Sequence, residues 1–260
     1  MKRYTFLIMM LGALVIGITM YMFVFGDPGN FSDGENREKP IPGNIMGMIY
    51  TGGVIVPLLL ALSILVISLI FERTLSLRKA QGKGSLAMFL KNVQRSLATG
   101  DVDAAITACD QQRGSMANII RSGLERYKIL AIESKGMEAE KQMAEVQRAI
   151  EEATALEMPI LEKNLIAMST IASISTMLGL LGTVIGMIRA FAALAHAGAP
   201  DAVQLSTGIS EALINTAFGI FAGIVGIVFY NVFINKVDNF TYMIDEASYD
   251  VLQTLMTKSK

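Results

Sequence analysis

Two stretches of this sequence run for more than 20 residues without Asp, Glu, Lys or Arg: Leu165 up to Arg189, and Ala212 to Asn235. A helix rises about 1.5 Å per residue, so about 20 apolar residues cross a hydrocarbon core of about 30 Å. Two more apolar stretches, 4–25 and 45–71, lie nearer the N-terminus. A soluble domain has no use for helices so long and so free of charge. The 260 residues are 52% hydrophobic, little above the globular average of about 45–50%, so it is the clustering that decides. The expected fold is an all-α membrane protein with three or four transmembrane helices, two of them extending into a helical cytoplasmic domain.

Residues 1–26 are an N-terminal hydrophobic segment preceded by Lys2 and Arg3. A basic start also marks signal peptides, but their apolar core is about 7–15 residues, and this one is longer. An uncleaved extra transmembrane helix is therefore expected, its basic end inside. Residues 27–44, rich in Pro, Gly and Asn, form a periplasmic linker. The 45–71 transmembrane helix ends on Arg73, Arg78, Lys79 and Lys83, which mark the cytoplasmic side. With no tryptophan in the chain, Tyr50 and Tyr230 are the candidate interface anchors.

Residues 72–162 form the cytoplasmic helical domain. Leu86, Phe89, Leu90, Val93 and Leu97 recur at helical spacing. Gly100-Asp101 starts a second helix, Ser115 a third, and Gly136 a fourth. Pro159 stands just before the next span and is expected to kink the helix entering it. Residues 163–195 are a transmembrane helix, 196–208 a periplasmic loop with Gly198 and Pro200, and 209–235 the last span. Val237, Phe240, Ile244 and Val251 keep helical spacing through a cytoplasmic C-terminal helix, 236–260.

A net charge of −1 argues against a nucleic-acid surface. Cys109 stands alone, so no intramolecular disulfide forms; it reads as a small buried residue. His196 has no neighbouring ligand and reads as a solvated loop residue, so neither a metal site nor a cofactor is expected. Gly179-xx-Gly182-xxx-Gly186 is followed by no Lys-Ser/Thr, and no nucleophile–base pair appears, so no enzyme chemistry is expected.

The polar residues inside the spans are few. Thr176 and Thr183 are seven apart and share a helix face. Ala212, Thr216, Gly219, Gly223 and Gly226 make one stripe of small residues on the last span. Gly182-xxx-Gly186 and Gly219-xxx-Gly223 are spacings that let helices approach closely in lipid. An isolated intramembrane threonine more often bonds its own turn than lines a path. Thr183, late on a helix rising outward, and Thr216, early on the returning helix, nevertheless match in depth. Glu211 and Arg189 lie at the outer helix ends, either as an interfacial ion pair or as a group that admits protons or holds a neighbour. Thr176, Glu211, Arg189 and Asn215 are the further polar contributors. No carboxylate or histidine falls near the midplane, so a proton relay would need an acid from another chain.

The strings Leu178-Gly-Leu-Leu-Gly-Thr183-Val-Ile-Gly-Met-Ile-Arg-Ala-Phe191 and Ile209-Ser-Glu-Ala-Leu-Ile-Asn-Thr216-Ala-Phe-Gly219 resemble the signature of the ExbB/TolQ/MotA proton-channel family, most of all ExbB. The resemblance runs in order from Glu72 to Asn235. Ser175, Thr176 and Met177 stand where members often carry a proline, and the N-terminal segment is an addition to the usual three spans. It implies a homo-pentamer in the bacterial inner membrane, with Thr183 and Thr216 on the proton path. It implies an ExbD-type single-span partner carrying the protonatable Asp, and a TonB-type transducer that receives the work. A TolQ-like envelope-maintenance subunit and a gliding or flagellar stator share that chemistry; a non-conducting membrane scaffold does not. A metabolite transporter would call for inverted repeats and broken helices, which are not seen.

Overall fold

A computed structural model describes residues 5–37, 39–133, 138–195 and 202–258. The expected features at Lys2, Arg3, Gly136, His196, Gly198 and Pro200 lie outside the described residues. The elements are α1 (Thr5–Met20), extended by a π-turn to Phe25, α2 (Ile45–Tyr50), α3 (Val56–Gln81), α4 (Leu86–Thr99), α5 (Val102–Gln112), α6 (Ser115–Glu133), α7 (Ala139–Glu162), α8 (Leu165–Leu194) and α9 (Ala202–Lys258), with short 3₁₀ turns between. Among the described residues the one extended pairing is an isolated bridge between Phe31 and Pro40. Four helical stretches, within Phe6–Phe25, Gly53–Thr99, Ala139–Leu194 and Ala202–Thr257, are long and apolar enough to cross a membrane. The protein is an all-α, multi-pass membrane protein.

The chain forms two compact units. The first, Met1–Phe71 with Leu165–Asn231, is built inside out relative to a soluble core. From Ser175 to its C-terminus, α8 buries Ser175, Gly179, Gly182, Gly186, Ala190 and Ala193, whereas its first turns bury Leu165, Met168 and Ile171. In the stretch after Ser175 the large side chains Leu180, Val184, Ile188 and Phe191 are exposed. Water would penalise that arrangement; lipid does not, and it rewards the close approach of small residues. α1 belongs to this unit: Phe25, Val56 and Leu60 form a cluster joined by Met20, Tyr21, Tyr50 and Phe218. Tyr50 stacks on Tyr21 with ring centroids 4.7 Å apart, so it is a packing residue here rather than a free anchor.

Three boundaries differ from the sequence reading. The 45–71 segment is not one helix: α2 ends at Tyr50, and α3 starts only at Val56. Gly53 at φ +76° takes the left-handed conformation that other residues resist, and Pro57 suits the first turn of a helix. Pro159 stands inside α7, which runs on to Glu162 and does not end at the proline. The chain breaks at Asn164, φ +62°, a residue type that tolerates that region. There Asn164 Nδ2 donates to Glu72 Oε2 at 3.1 Å, and the buried Arg73 donates to the Leu161 carbonyl. The cation thereby answers the exposed carbonyls of the α7 C-terminus. Finally, α9 begins at Ala202 rather than Ile209. Gly208 is a contact position there, since a Cβ on it would stand 2.7 Å from Ala190 N. At 57 residues α9 is about 86 Å long, far more than a bilayer core needs.

The second unit comprises Glu72–Asn164 and Val232–Lys260. Phe89, Val93, Cys109, Ile119, Ile120, Leu124, Val146, Ile150, Phe240, Ile244 and Val251 are buried in it at helical spacing. Asp101 caps α5, accepting from Ala104 N at 2.8 Å. Burial pushes the Cys109 thiol up to about 12, so at pH 8 almost no thiolate is present to react. Cys109 is therefore expected to resist maleimide in native membranes and to label after denaturation; fast native labelling would show that this unit is open.

Candidate proton site

The site lies on the α8–α9 hairpin, whose register follows from its glycines. Gly186 meets Ala212, Gly179 meets Gly219, and Gly226 meets Ala172, so the helices run antiparallel in near-backbone contact. A Cβ added to Gly219 would stand 2.7 Å from both Gly179 Cα and Ser175 O. Gly223 lies under the Thr176 hydroxyl. The small stripe of α9 is thus used within the chain, against α8.

Four polar levels descend from the loop end of this hairpin. At the first, Arg189 Nη1 donates to both carboxylate oxygens of Glu211, at 2.8 and 2.7 Å. Glu211 is buried while the Arg189 side chain is 56% exposed. A buried carboxylate needs such a partner, because desolvation alone costs several kcal/mol. A cleft of about 510 Å³, lined by Tyr21, Arg37, Thr51, Gly53, Thr207 and Glu211 among others, reaches this level. At the second level Asn215 is fully buried, and its Nδ2 donates to Gly52 O at 2.8 Å.

At the third level the hydroxyls of Thr183 and Thr216 are hydrogen-bonded to one another. Both also reach Gly179 O, at 3.2 Å from Thr183 and 3.4 Å from Thr216. Thr183 bonds its own turn, but Thr216 reaches across to the other helix. A hydroxyl has one proton to give, so only one of the pair donates to Gly179 O while the other donates to its partner. Two proton arrangements therefore share the same three oxygens, and either leaves lone pairs for an incoming O–H. Both threonines are half-buried. At the fourth level Ser175 and Thr176 bond their own turns, at 2.7 Å to Ile171 O and 3.3 Å to Ala172 O. The structure thus brings Thr183 and Thr216 together, brings Arg189 and Glu211 together, and sets Thr176 apart, nearly two turns along α8.

Sequence reasoning named Gly182 as a helix-packing residue but not its partner, and it missed Gly53. What Gly182 meets first is a side chain: a Cβ on it would stand 2.6 Å from Asn215 Cγ. Gly53 packs against the Glu211 carboxylate. The signal was present as Gly52-Gly53, a dipeptide that marks a turn. Among the described residues no cluster of His, Cys, Asp or Glu has the arrangement of a metal site.

Residues 111–246, just over half of the chain and including every level of the hairpin, match the model of the MotA/TolQ/ExbB proton channel family. The chain belongs to that family. A putative biopolymer transport protein, ExbB-like 3, from Synechocystis sp. is 40% identical over 91 residues, 34% of this chain and 43% of the relative. The Tol-Pal system protein TolQ of Pseudomonas aeruginosa is 36% identical over 115 residues, 44% of this chain and 49% of the relative. A putative ExbB homolog from Methanothermobacter thermautotrophicus is 29% identical over 197 residues, 76% of this chain and 65% of the relative. The chain thus spans less than half the length of the first two relatives. α1, the linker and the Gly52-Gly53 turn fall outside the family match.

Proposed function

We propose that this chain is the proton-channel and stator subunit of an inner-membrane motor that converts proton motive force into work. The observation that carries the reading is the Thr183–Thr216 pair, which presents two coupled hydroxyls on a half-open edge between α8 and α9. No described carboxylate or histidine shares that level of the hairpin, so the proton-binding acid comes from a second chain, a single-span subunit of ExbD type. Several copies, a pentamer by family resemblance, surround that partner. Each proton moving down the electrical gradient supplies about 2.3 kcal/mol per 100 mV. The cleft beside Glu211 and Arg189 admits protons from the periplasmic side, and the chain itself does no enzyme chemistry.

Energising a TonB-type transducer is the favoured use, in keeping with the ExbB names among the relatives. A Tol-type envelope role is the second reading, favoured by the TolQ relative. Affinity purification of the full chain from native membranes, with mass spectrometry of what comes with it, tests both. The expected companion is a single-span protein with one acidic residue in its span, together with either a TonB-like or a Tol-like protein. Recovery of the chain with no acid-bearing single-span companion would overturn the motor reading in favour of a scaffold.

A further inference from the structure

We propose that Asn215 positions the moving proton between Glu211 and the threonine pair, through a side-chain oxygen that the fold leaves free. The inference rests on the conducting role proposed above and adds a residue to it. Asn215 is completely buried. Its amide orientation follows from its neighbour: Gly52 O can only accept, so the NH₂ must face it. Oδ1 then has no hydrogen-bond partner among the described residues, although it is fully enclosed. Buried acceptors in native proteins are nearly always paired, and one that is not calls for an explanation.

Its placement supplies one. Asn215 follows Glu211 by four residues, one helical turn, and directly precedes Thr216. Gly182 has no side chain, and the Asn amide takes the space a Cβ would fill. Non-helical backbone at membrane depth is tolerated where protein covers it or where it lines a water-filled cavity, and Asn215 covers the Gly52 carbonyl. With Nδ2 fixed in that way, Oδ1 is held at one orientation as a permanent acceptor. When the packing around it opens, a water or hydronium O–H passing from Glu211 donates to it before reaching Thr183 or Thr216. The amide stays neutral throughout; it accepts a hydrogen bond and neither gains nor loses a proton.

The test uses the full chain with its companions, isolated from membranes and reconstituted in vesicles, with proton flux per assembled complex read under an imposed potential. Leucine matches asparagine in shape without either polar atom, so Asn215→Leu is expected to lower flux about tenfold, the change that about 1.4 kcal/mol of barrier produces. Asn215→Asp, whose protonated carboxyl offers the same donor and acceptor, is expected to restore it. An assembled Asn215→Leu complex with unchanged flux would overturn the inference. If Asn215→Leu does not assemble, the carboxyl C=O stretch of Asn215→Asp decides: a hydrogen-bonded carbonyl supports the proposal and a free one overturns it. Thr183→Val in the same series separates the two readings. Wild type that conducts nothing sinks the conducting role itself. Loss in Thr183→Val with none in Asn215→Leu sinks only the role of Asn215.

Discussion

Thr183→Val and Thr216→Val are each expected to lower proton-driven work about a hundredfold, as the loss of a proton relay does, while the subunits stay assembled. Valine keeps the size and branching of threonine and removes only the oxygen. The two hydroxyls bond one another and share Gly179 O, so either change leaves the surviving hydroxyl donating to that carbonyl with no second oxygen to exchange with. The stability cost is small, since a neutral hydrogen bond contributes about 0.5–1.5 kcal/mol net. Thr170→Val is the control: its hydroxyl bonds only Ile166 O at 2.8 Å on an exposed face, and it should change little. The measurement is work, as energised uptake or flux, at matched protein level. Normal work by both valine variants would end the case for a hydroxyl path. Loss of assembly in both would make the hydroxyls structural.

Gly219→Leu is expected to take the hairpin apart. Even a Cβ there would stand 2.7 Å from Gly179 Cα and Ser175 O, and backbone atoms of a helix cannot move aside as a flexible side chain does. Overpacking costs about 1–3 kcal/mol where neighbours can adjust, and more is expected where they cannot. Because the stripe packs against α8 of the same chain, the damage should appear first as a lower melting temperature and reduced protein level, then as a lost oligomer. Gly12→Leu gives the contrast: a Cβ at Gly12 meets nothing within 4 Å, so that variant should melt near wild type. Native mass spectrometry and a melting curve check both. An intact oligomer of normal stability from Gly219→Leu would show that the register described for α8 and α9 is wrong.

Much of this protein can be read from its sequence, because hydropathy and helical period depend on residues close together in the chain. The charge-free runs in α8 and α9, the helical spacing of the second unit, and the shared face of Thr176 and Thr183 are all of that kind. So are the two strings that carry the family resemblance. Partnerships across distance are another matter. Asn215 and Gly52 are 163 residues apart, and Thr183 and Thr216 are 33 apart. A glycine looks alike in sequence whether it makes room for backbone, as Gly186 does for Ala212, or for a side chain, as Gly182 does for Asn215. The end of α2 at Tyr50, the break at Asn164 and the early start of α9 likewise depend on local conformations that several residues allow equally well. Composition and period determined that this chain crosses the membrane as helices and carries its hydroxyls at one level. The tertiary structure alone decided which small residue faces which polar one, because that depends on the register of packed helices, and a shift of one turn would exchange every partner.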